Sequence, residues 1–169
     1  LTTGDLNALS GSQFAAMTTA QVASLTAAQV AGLGSDDLRA LTSAQFAAMG
    51  TAQIGALTSV QLPLLESADL RAISTAALRV LGTEQLAVLT SDQMAALTTG
   101  QVAALTTTQV AGLTTDDLNA LGAAQFASLT SAQAGVLTAG QIAALESADL
   151  RALSTAGLRS WSTDQLDAL

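Results

Sequence analysis

Two groups of charged side chains are the best candidates for a binding site in this sequence. They consist of Glu66, Asp69, Arg71 and Arg79 and, eighty residues later, of Glu146, Asp149, Arg151 and Arg159. Carboxylates and guanidinium groups form charge-assisted hydrogen bonds, so each group could bind a protein or a glycan. Glu66 and Glu146 also stand where Ser or Thr precedes a helix in most of the chain, and Glu is not a preferred capping residue. Because Glu costs some helix stability at this position, its presence favours the interpretation that these charged residues form a ligand patch.

A purely structural role is the alternative for the same residues. All five Arg stand at the seventh position of an eight-residue unit. At this position a cation lies near the free carbonyls of a helix end, where it stabilises the helix by about 0.3–1 kcal/mol. Asp69 and Arg71 are two residues apart and do not face each other on a helix, so no helical ion pair is expected between them.

Pairs of adjacent acids are candidates for calcium ligands. Asp36 and Asp37 recur as Asp116 and Asp117. Calcium takes roughly six to eight oxygens, more than two carboxylates supply, and the dipole of a helix start accounts for the acids. The chain has no Cys and no His, and therefore lacks thiolates, most zinc ligands and the commonest general base. We expect no metal, no cofactor and no enzymatic activity.

An unbroken period of eight residues predicts the elements that position these side chains. An apolar residue opens each of 21 octads, from Leu1 onward, and it is Leu in 17 of them. Position 2 is Ser or Thr in 15 octads and position 5 is Gln in 14, which is the spacing of a helix capping box. Positions 1 and 6 then form a hydrophobic staple, so each octad is predicted to be one capped helix of about six or seven residues.

Such short helices are unstable alone and must bury their apolar stripe against neighbouring copies. The predicted fold is therefore all-α, a solenoid (superhelical coil) of about 21 very short capped helices with one helix per octad. One continuous helix is disfavoured because eight residues rotate the stripe by about 80°. A β-solenoid is the remaining alternative, although Ala and Gln dominate the octads and β-branched alternation is missing.

The amino-acid composition disfavours nucleic acids and membranes as partners of this chain. The net charge is −8 and Lys is absent, which disfavours nucleic acids and anionic membranes. Polar residues interrupt every octad, so no membrane insertion is expected. Because the register never breaks, residues 1–169 are predicted to form a single solenoid domain, a segment of a longer array. Neighbouring repeats or domains of the same chain are its expected partners.

A longer period of eighty residues overlies the octads. The segment Leu65–Ala72 recurs identically as Leu145–Ala152, which suggests duplication of ten octads. Polar residues at position 7 recur every four to six octads. If that position faces solvent on one side of the coil only, a turn holds roughly four or five helices. Position 3 is often Ser or Thr without a capping role, and its hydroxyls could form a regular ligand-binding ladder.

The run Leu97-Thr-Thr-Gly-Gln-Val-Ala-Ala-Leu-Thr-Thr-Thr-Gln-Val110 resembles the octapeptide arrays of very large bacterial surface or secreted proteins of the adhesin-like and RTX-like kind. The resemblance covers the whole chain and implies an extracellular or cell-surface stalk without catalytic residues. We therefore expect a structural spacer or scaffold. The alternative is a binding module that presents a repeated Ser/Thr or Arg/acid face to a glycan or protein.

Overall fold

Every octad forms one short helical element in the computed structural model, which describes residues 2–169. Twenty α-helices and one 3₁₀ turn follow each other, and this part of the chain contains no β-strand. The prediction of an all-α solenoid of short capped helices is confirmed, and the β-solenoid is excluded. The α-helices have four to six residues. They are shorter than predicted because each begins at position 3 and ends between positions 6 and 8.

The bounds of the helices vary little along the chain. They are α1 (Thr3–Leu6), α2 (Gly11–Ala15), α3 (Thr19–Ala23), α4 (Ala27–Ala31), α5 (Ser35–Ala40), α6 (Ser43–Ala48), α7 (Thr51–Gly55), the 3₁₀ turn (Leu62–Leu64), α8 (Ser67–Ala72), α9 (Thr75–Leu78), α10 (Thr83–Leu86), α11 (Ser91–Ala96), α12 (Thr99–Ala104), α13 (Thr107–Ala111), α14 (Thr115–Asn119), α15 (Ala123–Ser128), α16 (Ser131–Gly135), α17 (Ala139–Ala143), α18 (Ser147–Ala152), α19 (Thr155–Leu158) and α20 (Thr163–Leu166). None of the helices in residues 2–169 has the length and apolar content needed to cross a lipid bilayer.

The predicted capping box starts most of these helices. Before α12, the Thr98 hydroxyl accepts from the Gln101 N–H at 3.1 Å, and the Gln101 Oε1 accepts from the Thr98 N–H at 2.9 Å. Both bonds give partners to backbone N–H groups that the start of a helix leaves free. Where Gly replaces Thr at position 2, the Gln half of the box persists, as between Gly82 N–H and Gln85 Oε1 at 2.7 Å.

Pro63 changes one octad from an α-helix to a 3₁₀ turn, Leu62–Leu64. Proline has no N–H to donate to a carbonyl one helical turn earlier, so the α-helical pattern cannot continue through it. The capping bonds between Thr58 and Gln61 are retained, with the Thr58 N–H at 2.9 Å from the Gln61 Oε1. Pro63 therefore changes the type of helix in this octad and leaves the eight-residue register intact.

Consecutive helices wind into a superhelical coil. Each helix packs on the helix three octads later, as α2 does on α5 and α12 on α15. Hydrogen bonds between successive coils join residues 28 and 31 positions apart. One turn therefore holds between three and four octads, and the prediction of four or five was wrong. Position 7 is exposed in most octads, at Ala23 as at Arg39, and it is nowhere buried in the described chain, so polar residues there do not report the number of octads per turn.

The core is a continuous column of position-1 and position-6 side chains inside the coil. Phe46, Ile54 and Val102 at position 6 are fully buried, and burial of such side chains stabilises the fold by about 1.5–3 kcal/mol each. Trp161 replaces the usual Leu at position 1. It is 7% exposed and its Nε1 donates to the Ala134 carbonyl at 2.9 Å. With coils about 8–10 Å apart, about six turns give a rod of roughly 50–60 Å.

Candidate functional site

The side chain of Gln101 joins two coils while it caps its own helix. Its Oε1 accepts from the Thr98 N–H, and its Nε2 donates to the carbonyls of Leu70 at 2.8 Å and Ile73 at 2.9 Å. The side chain is 2% exposed. Buried amides of this kind are favourable only when their donors and acceptors are paired, and here one residue pairs both ends.

The same bond recurs along the coil and forms what we call the glutamine ladder. In each case Nε2 lies 2.6–3.1 Å from the carbonyl oxygen of the position-1 residue 28 positions earlier. Within residues 2–169 the ladder consists of Gln45, Gln53, Gln61, Gln85, Gln93, Gln101, Gln109, Gln125, Gln133, Gln141 and Gln165. Successive coils are thus joined by the same bonds from glutamine side chains to backbone carbonyls.

Sequence analysis assigned position 5 to capping and missed the ladder. A signal for it was present, because position 5 is never Glu in any of the 21 octads. Glu serves a capping box as well as Gln does, but an ionised carboxylate has no N–H to donate. The exclusion of Glu therefore indicated that the amide nitrogen has a role of its own.

Aspartate interrupts the ladder at four buried positions, each 5–8% exposed: Asp37, Asp69, Asp117 and Asp149. Aspartate is one methylene shorter than Gln and lacks the amide donor. The carboxylates have different surroundings. The Oδ2 of Asp117 accepts from the Thr114 N–H at 2.9 Å and hydroxyl at 2.7 Å, which completes a capping box. The Oδ1 of Asp69 accepts from the Ser43 hydroxyl at 2.7 Å.

Asp149 has the least favourable surroundings of these acids. Its Oδ2 is buried and, among the described residues, has no hydrogen-bond partner. Burial raises the pKa of Asp149, and the nearby Glu146 carboxylate raises it further. Burial also raises the pKa of Asp69, against the opposing effect of its hydrogen bond from Ser43. Both carboxylates therefore favour protonation more than an ordinary Asp does.

The structure separates the members of the predicted charged patches. The two aspartates, Asp69 and Asp149, lie buried between coils. The other members are exposed: Glu66, Arg71, Arg79, Glu146, Arg151 and Arg159. Across residues 2–169 no Arg lies within 4 Å of a carboxylate. The two Glu residues stand at N-caps without a side-chain capping bond. Ligand binding by the exposed members stays a prediction.

The other candidate ligand groups do not converge on one site either. Asp116 is exposed while the adjacent Asp117 is buried. In the described part of the chain, no three acidic residues lie close enough to hold a metal ion together. The position-3 hydroxyls of Thr19, Thr51 and Thr99 face solvent, and a ligand for them stays a prediction.

Comparison with known families identifies the repeating unit. A family model described as the ALTTAQ repeat matches residues 1–35, 30–65, 63–99, 110–147 and 142–169. The chain belongs to the ALTTAQ repeat family. Residues 96–101 of the chain, Ala-Leu-Thr-Thr-Gly-Gln, differ from the six letters of that name at one position. The unit thus contains both the capping Thr and the Gln of the ladder. A search of curated proteins found no match.

Proposed function

We propose that this ALTTAQ array is a structural spacer, a stalk region within a larger bacterial surface or secreted protein. The observation that supports the proposal is the glutamine ladder. Because each Gln binds backbone carbonyls of the preceding coil, every added octad extends the same structure. The length of the rod then depends only on the number of octads, as in other solenoids.

The division of positions within the octad also supports a spacer. Between the first and last coils, positions 1, 5 and 6 are mostly buried and make the contacts between coils, whereas positions 3 and 7 are mostly exposed. The exterior residues are mostly small or polar. A net charge of −8 disfavours non-specific association with other acidic surfaces.

The cell-surface or extracellular location is part of this proposal. Its support is the resemblance of the octads to arrays in bacterial surface and secreted proteins. We assign the segment no catalytic activity, no cofactor and no nucleic-acid partner, and we propose that it contacts neighbouring repeats or domains of its own chain.

Small-angle X-ray scattering on this segment and on a tandem of two segments tests the spacer. The second copy is joined so that Leu169 of the first copy replaces Leu1 of the second, which keeps the octad register. We expect a maximum dimension of roughly 50–60 Å for one copy and about twice that for two, with an unchanged cross-section. A compact tandem, or a dimension that rises with protein concentration, would contradict the proposal.

A binding module is the second candidate function, and one observation favours it. Glu66 and Glu146 are exposed at N-caps where they make no capping bond, although Thr would stabilise the helix by about 1 kcal/mol. Replacing both with Thr is expected to stabilise the fold. If the wild-type segment binds glycans on an array and the double variant does not, the charged patches have a binding role.

A further inference from the structure

The glutamine ladder is interrupted at α18, where a backbone carbonyl of the preceding coil has no donor. In the ladder, the amide of each Gln donates to the position-1 carbonyl 28 residues earlier. Position 5 of the α18 octad is Asp149, and the carbonyl 28 residues earlier is that of Leu121. Across residues 2–169 the Leu121 carbonyl accepts no hydrogen bond, and Leu121 is 3% exposed. The contact between these two coils therefore lacks a hydrogen-bond donor.

Asp149 occupies the place of the ladder glutamine with an oxygen that has no partner. The residue is 5% exposed, and its Oδ2 atom is buried without a hydrogen bond among the described residues. The helix α18 packs on α15, and neither α15 nor the adjacent helices α17 and α19 contain a charged residue. On α18 itself, Arg151 is exposed. Burial raises the pKa of Asp149, the Glu146 carboxylate raises it further, and the Glu146 backbone N–H opposes both.

The first copy of this junction shows what the second one lacks. The helices α8 and α18 have identical sequences, and the Oδ1 of Asp69 in α8 accepts from the Ser43 hydroxyl of the preceding coil at 2.7 Å. The residue equivalent to Ser43 in the second copy is Ala123, which has no donor. A buried carboxylate without a donor is unfavourable. A neutral carboxyl group, in contrast, carries an O–H donor of its own.

We propose that the contact between α15 and α18 is controlled by one proton, which binds Asp149 and supplies the donor that glutamine supplies elsewhere in the ladder. The proton comes from solvent and binds Oδ2, and the acceptor of the resulting O–H is the Leu121 carbonyl. When the proton leaves, a negative charge remains buried beside carbonyl oxygens, so the last coil is held less tightly on the preceding one. The rod therefore loosens at α18 as the pH rises, and it loosens less at α8, where Ser43 donates.

Trp161 is a built-in reporter of this contact. It lies two octads after α18, and its Nε1 donates to the Ala134 carbonyl of the preceding coil at 2.9 Å. It is the only Trp of the chain, so its indole N–H gives one NMR peak. The experiment measures the hydrogen-exchange protection of this N–H and the carboxyl carbon shift of Asp149 from pH about 4 to about 8. We expect Asp149 to titrate above about 3.9, the value of an unfolded chain. Protection should fall by up to about tenfold per pH unit across that titration.

Three variants assign the effect to the missing donor. Asp149→Asn carries an amide donor at every pH and should keep the indole N–H protected throughout. Ala123→Ser restores the hydroxyl and should shift the titration of Asp149 to lower pH. Ser43→Ala removes the hydroxyl from the first copy and should shift the titration of Asp69 to higher pH, which transfers the behaviour to α8.

The proposal is overturned if Asp149 titrates at or below the value of an unfolded chain, or if Asp149→Asn keeps the pH dependence of the wild type. An unchanged titration of Asp149 in Ala123→Ser would overturn it as well. Tightening of the contact at fixed pH by sodium chloride, and not by choline chloride, would assign the unpaired oxygen to a metal cation instead of a proton. All of these measurements concern one junction in a single copy, so they are independent of the scattering test of the spacer.

Discussion

The Ser43 hydroxyl donates to the Asp69 Oδ1 at 2.7 Å across two coils, whereas the corresponding pair eighty residues later is Ala123 and Asp149. The helices that carry the two aspartates, α8 and α18, have identical sequences. One hydroxyl in the preceding coil therefore distinguishes a paired buried carboxylate from an unpaired one.

Removing the hydroxyl at residue 43 and adding one at residue 123 should change the free energy of unfolding in opposite directions. Ser43→Ala leaves Asp69 without its donor and is expected to lower the free energy of unfolding by about 1–3 kcal/mol. Ala123→Ser supplies the donor to Asp149 and should raise it by about 1 kcal/mol. Urea unfolding at neutral pH measures both changes. Equal effects of the same sign would show that the hydroxyl does not bind the carboxylate.

Asp149 should make the stability of the rod depend on pH. Its raised pKa means that the folded state holds the proton more tightly than the unfolded state, where the pKa is about 3.9. The contribution of Asp149 to the free energy of unfolding is then greatest below the unfolded pKa and is lost as the pH rises through the folded pKa.

The variant Asp149→Asn should remove this contribution, so its stability decreases less than that of the wild type as the pH rises from about 3 to about 7. Thermal unfolding at a series of pH values gives the comparison. The exposed Asp92→Asn is the control for loss of one negative charge. An unchanged pH slope in Asp149→Asn would exclude Asp149 as its source.

Two glycines should respond in opposite ways to substitution by Ala. A Cβ at Gly112 would lie 2.7 Å from the Thr83 Cγ2 and 3.0 Å from its Cβ, whereas a Cβ at Gly140 meets nothing within 4 Å. Gly112→Ala must displace the Thr83 side chain of the neighbouring coil and is expected to cost about 1–3 kcal/mol. Gly140→Ala should stabilise α17 by about 0.5–1 kcal/mol. Melting temperatures of both variants test the packing, and a tolerated Ala at residue 112 would contradict it.

The local part of this fold could be predicted from the sequence because its determinants lie within one octad. Thr98 and Gln101 are three residues apart, and their capping bonds do not depend on how the coils stack. The partners of the Gln101 amide are Leu70 and Ile73, and finding them requires the number of octads per turn. Position 7 does not report this number, because no position-7 residue of the described chain is buried.

The surroundings of Asp69 and Asp149 could not be predicted from the sequence for the same reason. Asp69 and Asp149 have identical neighbours in sequence, and their difference depends on Ser43 and Ala123, each 26 residues earlier. Only the superhelical register brings those residues together. The predicted charged patch grouped Asp69 with exposed residues, whereas the structure buries Asp69 between coils.

The glutamine ladder is tested most directly by removing the amide donors at one buried and one exposed position. Gln101→Glu and Gln21→Glu both keep the oxygen that caps a helix, since Oε1 accepts from Thr98 and from Thr18 in the same way. Gln101 is buried between coils, whereas Gln21 is exposed. Denaturant unfolding of the two variants separates coil stacking from capping.

We expect Gln101→Glu to lower the free energy of unfolding by about 3 kcal/mol or more, because a carboxylate would face two carbonyl oxygens without a donor. Gln21→Glu should change it by less than about 0.5 kcal/mol. Equal losses in the two variants would show that the glutamine contributes to capping alone, and that the coils are not joined through its amide.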